Sequence, residues 1–164
     1  MSDTLADFFQ LAELEFSWLV TELGFHEVMR DSKSNGKWPM FGEIGWASSR
    51  TFVEVVLECV NRPYMYVTFG ALVGGQLPDV MDRRGRYHLS GLVVVRGHDE
   101  KRATKLGDIG GLGKRQIKGG LRDCAKTLRE LAADVLADDH TVFKELAAFG
   151  EQQMSQYRAE YLHE

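Results

Sequence analysis

Apolar positions along the chain change their period twice. Leu5, Phe8, Phe9, Ala12, Phe16, Leu19, Val20 and Leu23 recur at three- and four-residue steps, the spacing of one helical face. Asp3 or Thr4 supplies an N-cap and Gly24 a stop. Phe25 to Met29 reads as a short strand, and Asp31 to Lys37 as a polar surface loop. The period then becomes two. Phe41 to Ala47 is a strand and Ser48-Ser49-Arg50 a tight connection; Thr51 to Val60 is a longer strand with Val53, Val55, Leu57 and Cys59 on one side and Glu54 and Glu58 on the other. Asn61-Arg62-Pro63 turns the chain, Tyr64 to Leu72 returns antiparallel, and His88 to Val95 adds one more strand. Helical spacing resumes with Leu121, Cys124, Ala125, Leu128, Leu131, Ala132, Val135 and Leu136. Asp138-Asp139 supplies a stop and a fresh cap. A last helix from near Thr141 carries Val142, Phe143, Leu146, Ala147, Met154, Tyr157 and Tyr161, weakened midway by Gly150. This order predicts a single α+β domain over residues 1–164: an N-terminal helix, an antiparallel sheet of about four to five strands and two C-terminal helices packed on one face, joined through a Gly-rich connection at about 97–120.

Composition adds little to that outline until charge is placed along it. A chain of 164 residues, 44% apolar, is the size of one domain with a substantial core. No run approaches the roughly 18 uncharged apolar residues of a membrane span, and MSDTLADFF has no basic lead into an apolar stretch. A cytoplasmic protein is expected. Cys59 and Cys124 form no CxxC or Cys-His spacing and read as two reduced, buried thiols. The net charge of -4 conceals a division. From Arg83 to Lys126 there are 12 Lys/Arg and 4 Asp/Glu, so 12 − 4 = +8, which leaves −12 for the remainder. Either one face meets something anionic, or the basic segment lies against the protein's own acidic helices.

The segment Lys105-Leu-Gly-Asp-Ile-Gly-Gly-Leu-Gly-Lys-Arg-Gln-Ile-Lys-Gly-Gly-Leu121 tests the first alternative. As a phosphate-cradling P-loop it fails: Gly107 and Gly113 enclose five residues where four are needed, and Arg115 stands in place of the magnesium-binding hydroxyl. As a dinucleotide fingerprint it fails too, because Gln116 occupies the third glycine's place and no strand leads into it. Ile109-Gly-Gly-Leu-Gly-Lys-Arg-Gln-Ile117 resembles the hairpin of a helix-hairpin-helix motif. That resemblance implies anion or nucleic-acid binding by Gly111, Gly113, Lys114, Arg115, Lys118 and Arg122, through helix-terminal amides and non-specific phosphate contacts. The competing expectation, and the favoured one, is a flexible basic loop, since Gly119-Gly120 costs about 1 kcal/mol per glycine inside a second helix.

Other chemistry is sparse. His26, His88, His98, His140 and His163 include no pair at helical i, i+3 or i, i+4 spacing, so no metal or cofactor is expected. His98-Asp99-Glu100 reads as a solvated turn, and no nucleophile elbow or activated cysteine is present. A catalytic site is not expected. Trp18 lies off the first helix's main stripe, and Trp38 and Trp46 flank the start of the sheet. Tyr64 and Tyr66 share one face of their strand. If that face also carries Glu54 and Glu58, it combines aromatic area with carboxylates, a composition suited to a partner with a basic surface. Alternatively the basic segment covers that face and pairs with the two glutamates.

At larger scale, Phe16-Ser-Trp-Leu-Val-Thr-Glu-Leu-Gly-Phe25, Ile44-Gly-Trp-Ala-Ser-Ser-Arg-Thr-Phe-Val-Glu-Val-Val-Leu-Glu58, Leu121 to Asp139 and Phe143-Lys-Glu-Leu146 resemble a broad group of small bacterial cytoplasmic proteins, some regarded as immunity proteins. That resemblance implies a binding protein that neutralises a toxin by covering its active site, and carries over no functional residue. The expected partner contacts are Glu54, Glu58, Tyr64 and Tyr66, or the basic arm Arg83, Arg84, Arg86, Lys114 and Arg115 if the partner is acidic. The alternative is a nucleic-acid-binding module using the glycine-rich segment.

Overall fold

The computed structural model describes residues 3–34, 39–79 and 84–162, without the side chains of Pro39 and Met40. Its elements follow the α+β outline. The first helix is broken: α1 (Thr4–Glu15) and α2 (Ser17–Thr21) meet at Phe16. Asp3 caps α1 by accepting the Ala6 N–H at 3.1 Å. At the break Phe16 stacks on Trp46, with centroids 5.5 Å apart, and redirects the chain so that Trp18 and Leu19 are buried while Val20 and Leu23 are exposed.

Five antiparallel strands follow in sequence order, β1 (His26–Ser34), β2 (Pro39–Ala47), β3 (Thr51–Cys59), β4 (Pro63–Ala71) and β5 (Tyr87–His88). β1 corrects the expected polar loop: Asp31 to Ser34 continue the strand, paired with Glu43 to Pro39. An edge strand tolerates such polar residues because one of its faces stays wet. Asn35 to Trp38 lie outside the described residues, as do Arg83 and His163.

The largest departure is at 88–95. Only Tyr87 and His88 pair with β4, and Leu89–Val95 is a helix, α3. Its β-branched run suggests a strand, yet Leu89, Leu92 and Val93 recur at helical spacing and all reach the core. The end is fixed by a Schellman motif: His98 N–H donates to Val93 O at 3.0 Å and Gly97 N–H to Val94 O at 2.9 Å, with Gly97 at φ 83°.

The supposed loop at 97–120 is likewise mostly helical. Asp99 caps α4 (Glu100–Lys105), a hairpin spans 106–113, and α5 (Lys114–Leu131) runs through Gly119 and Gly120. α6 (Ala133–Leu136) and α7 (Phe143–Tyr161) complete the chain. Helices cover one face of the sheet, where Ile44, Trp46, Val53, Val55, Leu57, Met65, Val67 and Phe69 meet α1 and α5 in one core. α1 and α5 lie side by side and parallel. Three ion pairs join them at a constant offset, Lys114–Asp7 at 3.4 Å, Arg122–Glu15 at 3.7 Å and Arg129–Glu22 at 2.5 Å, the first helix's end included, with 114 − 7 = 122 − 15 = 129 − 22 = 107. Lys114 and Arg122 of the basic segment are therefore held against the protein's own acidic first helix.

Candidate binding face of the sheet

The strand register decides what the other face carries. Glu54 stands opposite Gly45 and Thr68, Val56 opposite Glu43 and Tyr66, and Glu58 opposite Phe41 and Tyr64. His88 pairs with Thr68 and joins the same face. The tyrosines and glutamates expected to share a face do so.

Glu54 is nevertheless no partner contact. It is 1% exposed, its Oε2 pairs with the Arg86 guanidinium and accepts the Thr68 hydroxyl at 3.0 Å. Arg86 in turn donates to Pro78 O at 2.8 Å and lies over the Phe52 ring, 5.2 Å from its centroid. A buried carboxylate survives only with compensation of this kind, and the glutamate expected on the surface is instead spent on fastening the segment before β5 to the sheet. Arg86, expected in a basic arm, is half of that internal pair. Gly70 allows the segment to come close: a Cβ there would lie 2.0 Å from Gly85 O.

The remaining groups form the candidate site. Tyr64 and Tyr66 have ring centroids 6.1 Å apart, and Tyr66 is 5.4 Å from His88. Both tyrosines are half-buried. Burial, then the charges of Glu58, Glu43 and Glu54, push the Tyr66 hydroxyl up to about 12; burial also raises Tyr64. Both phenols are thus neutral donors in water. Glu43 was not foreseen. Burial, reinforced by the Glu54 charge and opposed by Arg86, raises its carboxyl from 4.5 to about 7. Strand alternation places Glu43 with Phe41 on one side of β2, but only the register shows that this side faces Tyr66. A cationic group brought to Glu43 would favour its charged form against the burial and the Glu54 charge that hold it up.

The glycine-rich hairpin serves the sheet edge. Met65 N–H donates to Gly107 O at 2.9 Å, and Asp108 bridges to Tyr64, which continues the β4 edge beyond β5. A Cβ on Gly107 would sit 2.3 Å from the Tyr64 ring and 2.5 Å from Met65 O; one on Gly120 would sit 2.4 Å from Ile109. These glycines are close-approach positions between packed elements. The hairpin does deliver α5 directly after Gly113, as the helix-hairpin-helix resemblance implies, with Lys114 as its first residue. Its basic groups are partly engaged: Lys114 meets Asp7 and Arg122 meets Glu15. Arg115 lines an open depression of about 460 Å³ with Lys105, Asp108, Gln116 and Asp123, a mixed-charge lining. Gln116 folds back over Gly113, its Oε1 2.3 Å from where a Cβ would stand.

Cys124 is buried, which pushes its thiol up to about 12, whereas Cys59 is only half-buried; neither is in a disulfide. Among the described residues no helix is long and apolar enough to cross a membrane. The chain matches no family model, no curated protein and no solved structure.

Proposed function

We propose that this is a non-enzymatic binding protein that neutralises a protein partner by occlusion, in the manner of an immunity protein, with the helix-free sheet face as its contact surface. The observation that carries the reading is the cluster of Glu43, Glu58, Tyr64, Tyr66 and His88 on that face. Two adjacent, half-buried tyrosines lose little freedom on binding, the property of an interface anchor. The flanking carboxylates steer a basic surface towards them and raise the association rate. The test is calorimetric titration against the products of the genes flanking its own, with Tyr66→Ala and Glu58→Lys beside the unaltered protein. A one-to-one complex weakened by about tenfold or more in Tyr66→Ala, and weakened also by Glu58→Lys, supports the reading. A complex untouched by both changes places the contact elsewhere and defeats it.

A nucleic-acid-binding module is kept as the second reading by one observation, that α5 begins at Lys114 directly after the Gly111-Leu-Gly113 hairpin. Labelled single- and double-stranded DNA at low and moderate salt, with Lys114→Ala/Arg115→Ala as control, separates the two. Salt-sensitive binding lost in the double variant would replace the protein-partner reading.

A further inference from the structure

α7 is longer than the body it packs on. Phe143 and Leu146 anchor its first turns, and Phe149 lies against α3, where a Cβ on Gly91 would be 3.4 Å from its ring. Beyond that, every residue from 151 to 162 is exposed. This arm extends about 18 Å at the helical rise per residue. A free helix of that length is marginal in water, because most helical stability comes from a packed face.

The exposed arm carries such a face. Ala147, Gly150, Met154, Tyr157 and Tyr161 follow one another at steps of three and four, the a and d positions of a heptad pattern. Met154 is 47% exposed, Tyr157 53% and Tyr161 65%, and the two tyrosine rings lie 4.9 Å apart along the stripe. Gly150 stands mid-helix, unfavourable for an exposed turn, and a Cβ there would meet nothing within 4 Å. Nothing in a single chain's packing calls for a glycine at that place.

We propose that the stripe is the interface for a second copy of this chain, the two α7 arms running antiparallel about a two-fold axis near residues 154 and 155. Three features favour this occupant. Small residues fill one half of the stripe and tyrosines the other, so antiparallel pairing lays Tyr161 over Ala147 and Ala148 and lays Tyr157 over the Gly150–Met154 segment. Glu151 and Arg158 occupy the position after each d residue, and with 151 + 158 = 309 as the sum for facing residues each pairs with the other copy's opposite charge. A two-fold axis repeats that pair, as an isologous interface requires. Parallel pairing would instead set Glu151 beside Leu146 and Arg158 beside Gln153, with no ion pair and with tyrosine facing tyrosine. The stripes bury less than the roughly 1,200 Å² of a standard interface, so assembly depends on concentration. The inference rests on α7 alone and is independent of the sheet-face reading.

Sedimentation equilibrium of the full chain from micromolar to millimolar concentration tests it, comparing the unaltered protein with Glu151→Arg, with Arg158→Glu and with both changes together. All three alter exposed side chains, and circular dichroism confirms that each variant is folded. The expected result is a reversible monomer–dimer equilibrium, weakened about tenfold or more by either single reversal and restored by the double reversal. A monomer throughout overturns the proposal and leaves the stripe to a different protein. A dimer insensitive to the single reversals overturns it too, since the copies then meet elsewhere.

Discussion

The two faces of the sheet are made from the same strands and obey opposite rules. On one, Val53, Val55, Leu57, Met65 and Val67 present apolar side chains alone and are sealed by α1 and α5. On the other, displaced by one residue along the strands, stand Glu54, Thr68, Glu43 and Glu58. Burial there comes from the strands' own long side chains and from the segment reaching Arg86. A face sealed by helices can be wholly apolar, because each side chain finds a neighbour of matching shape. A face without helices must stay compatible with water at its rim, and the deeply buried Glu54 charge needs an internal counter-ion.

The contrast breaks most severely at Arg86. Arg86→Ala strands the Glu54 carboxylate in the sheet and is expected to cost about 3 kcal/mol or more in chemical denaturation, with Glu54→Gln/Arg86→Met recovering much of the loss. A cost under about 1 kcal/mol would mean that Glu54 reaches water.

Glycines at the sheet edge come next. Gly107→Ala forces a methyl into the Tyr64 ring and the Met65 carbonyl, and is expected to destabilise by about 2 kcal/mol. The adjacent pair in α5 offers an internal control. Gly119 has open space around it, so Gly119→Ala should stabilise by about 0.5 to 1 kcal/mol, whereas Gly120→Ala meets Ile109 and should lose that gain or reverse its sign. Equal effects at the two positions would show that Ile109 does not seat on the helix.

A smaller effect follows from the raised carboxyl of Glu43. Its folded-state value of about 7 lies above the ordinary 4.5, so between those values the folded chain binds more protons than the unfolded one. Stability therefore falls as pH rises through this window, and the penalty is complete above about 7. Glu43→Gln should remove it, stabilising the protein at pH 8 by about 1 kcal/mol, after allowance for solvent screening, and flattening the profile between pH 5 and 7. A profile unchanged by the substitution would show that Glu43 is well hydrated. The smallest effect belongs to the helix-covered side: Lys114→Ala or Arg122→Ala should shift stability by about 0.5 kcal/mol or less, and less still in salt, because these pairs are exposed.

Legibility in the sequence followed the strength of periodicity. The stripes of α1 and of the later part of α5, and the alternation in β2, β3 and β4, were visible because each element buries one face consistently. Leu89–Val95 misled because a short β-branched run fits either period, and only its contact with α7 and the Gly97 cap selects the helix. The Gly-rich segment misled for a related reason. Glycine's intrinsic cost in a helix argues for a loop, but the close approach of Ile109 to Gly120 and of Tyr64 to Gly107 turns that cost into tight packing. Tyr64, Tyr66 and Glu58 were found from alternation within single strands. Glu43 and His88 were not, since their membership of the same face depends on pairing between strands.

By itself, the sequence determined the α+β class, the three central strands to within two residues at their ends and the apolar stripe of α5, because each is written in local spacing that any folded arrangement must satisfy. The tertiary structure decided that Glu54 is internal, that Glu43 joins the tyrosines, that basic α5 lies along acidic α1 and that the end of α7 is left bare. Those outcomes depend on register and on which surfaces meet, and neither is encoded in the order of residues within one element.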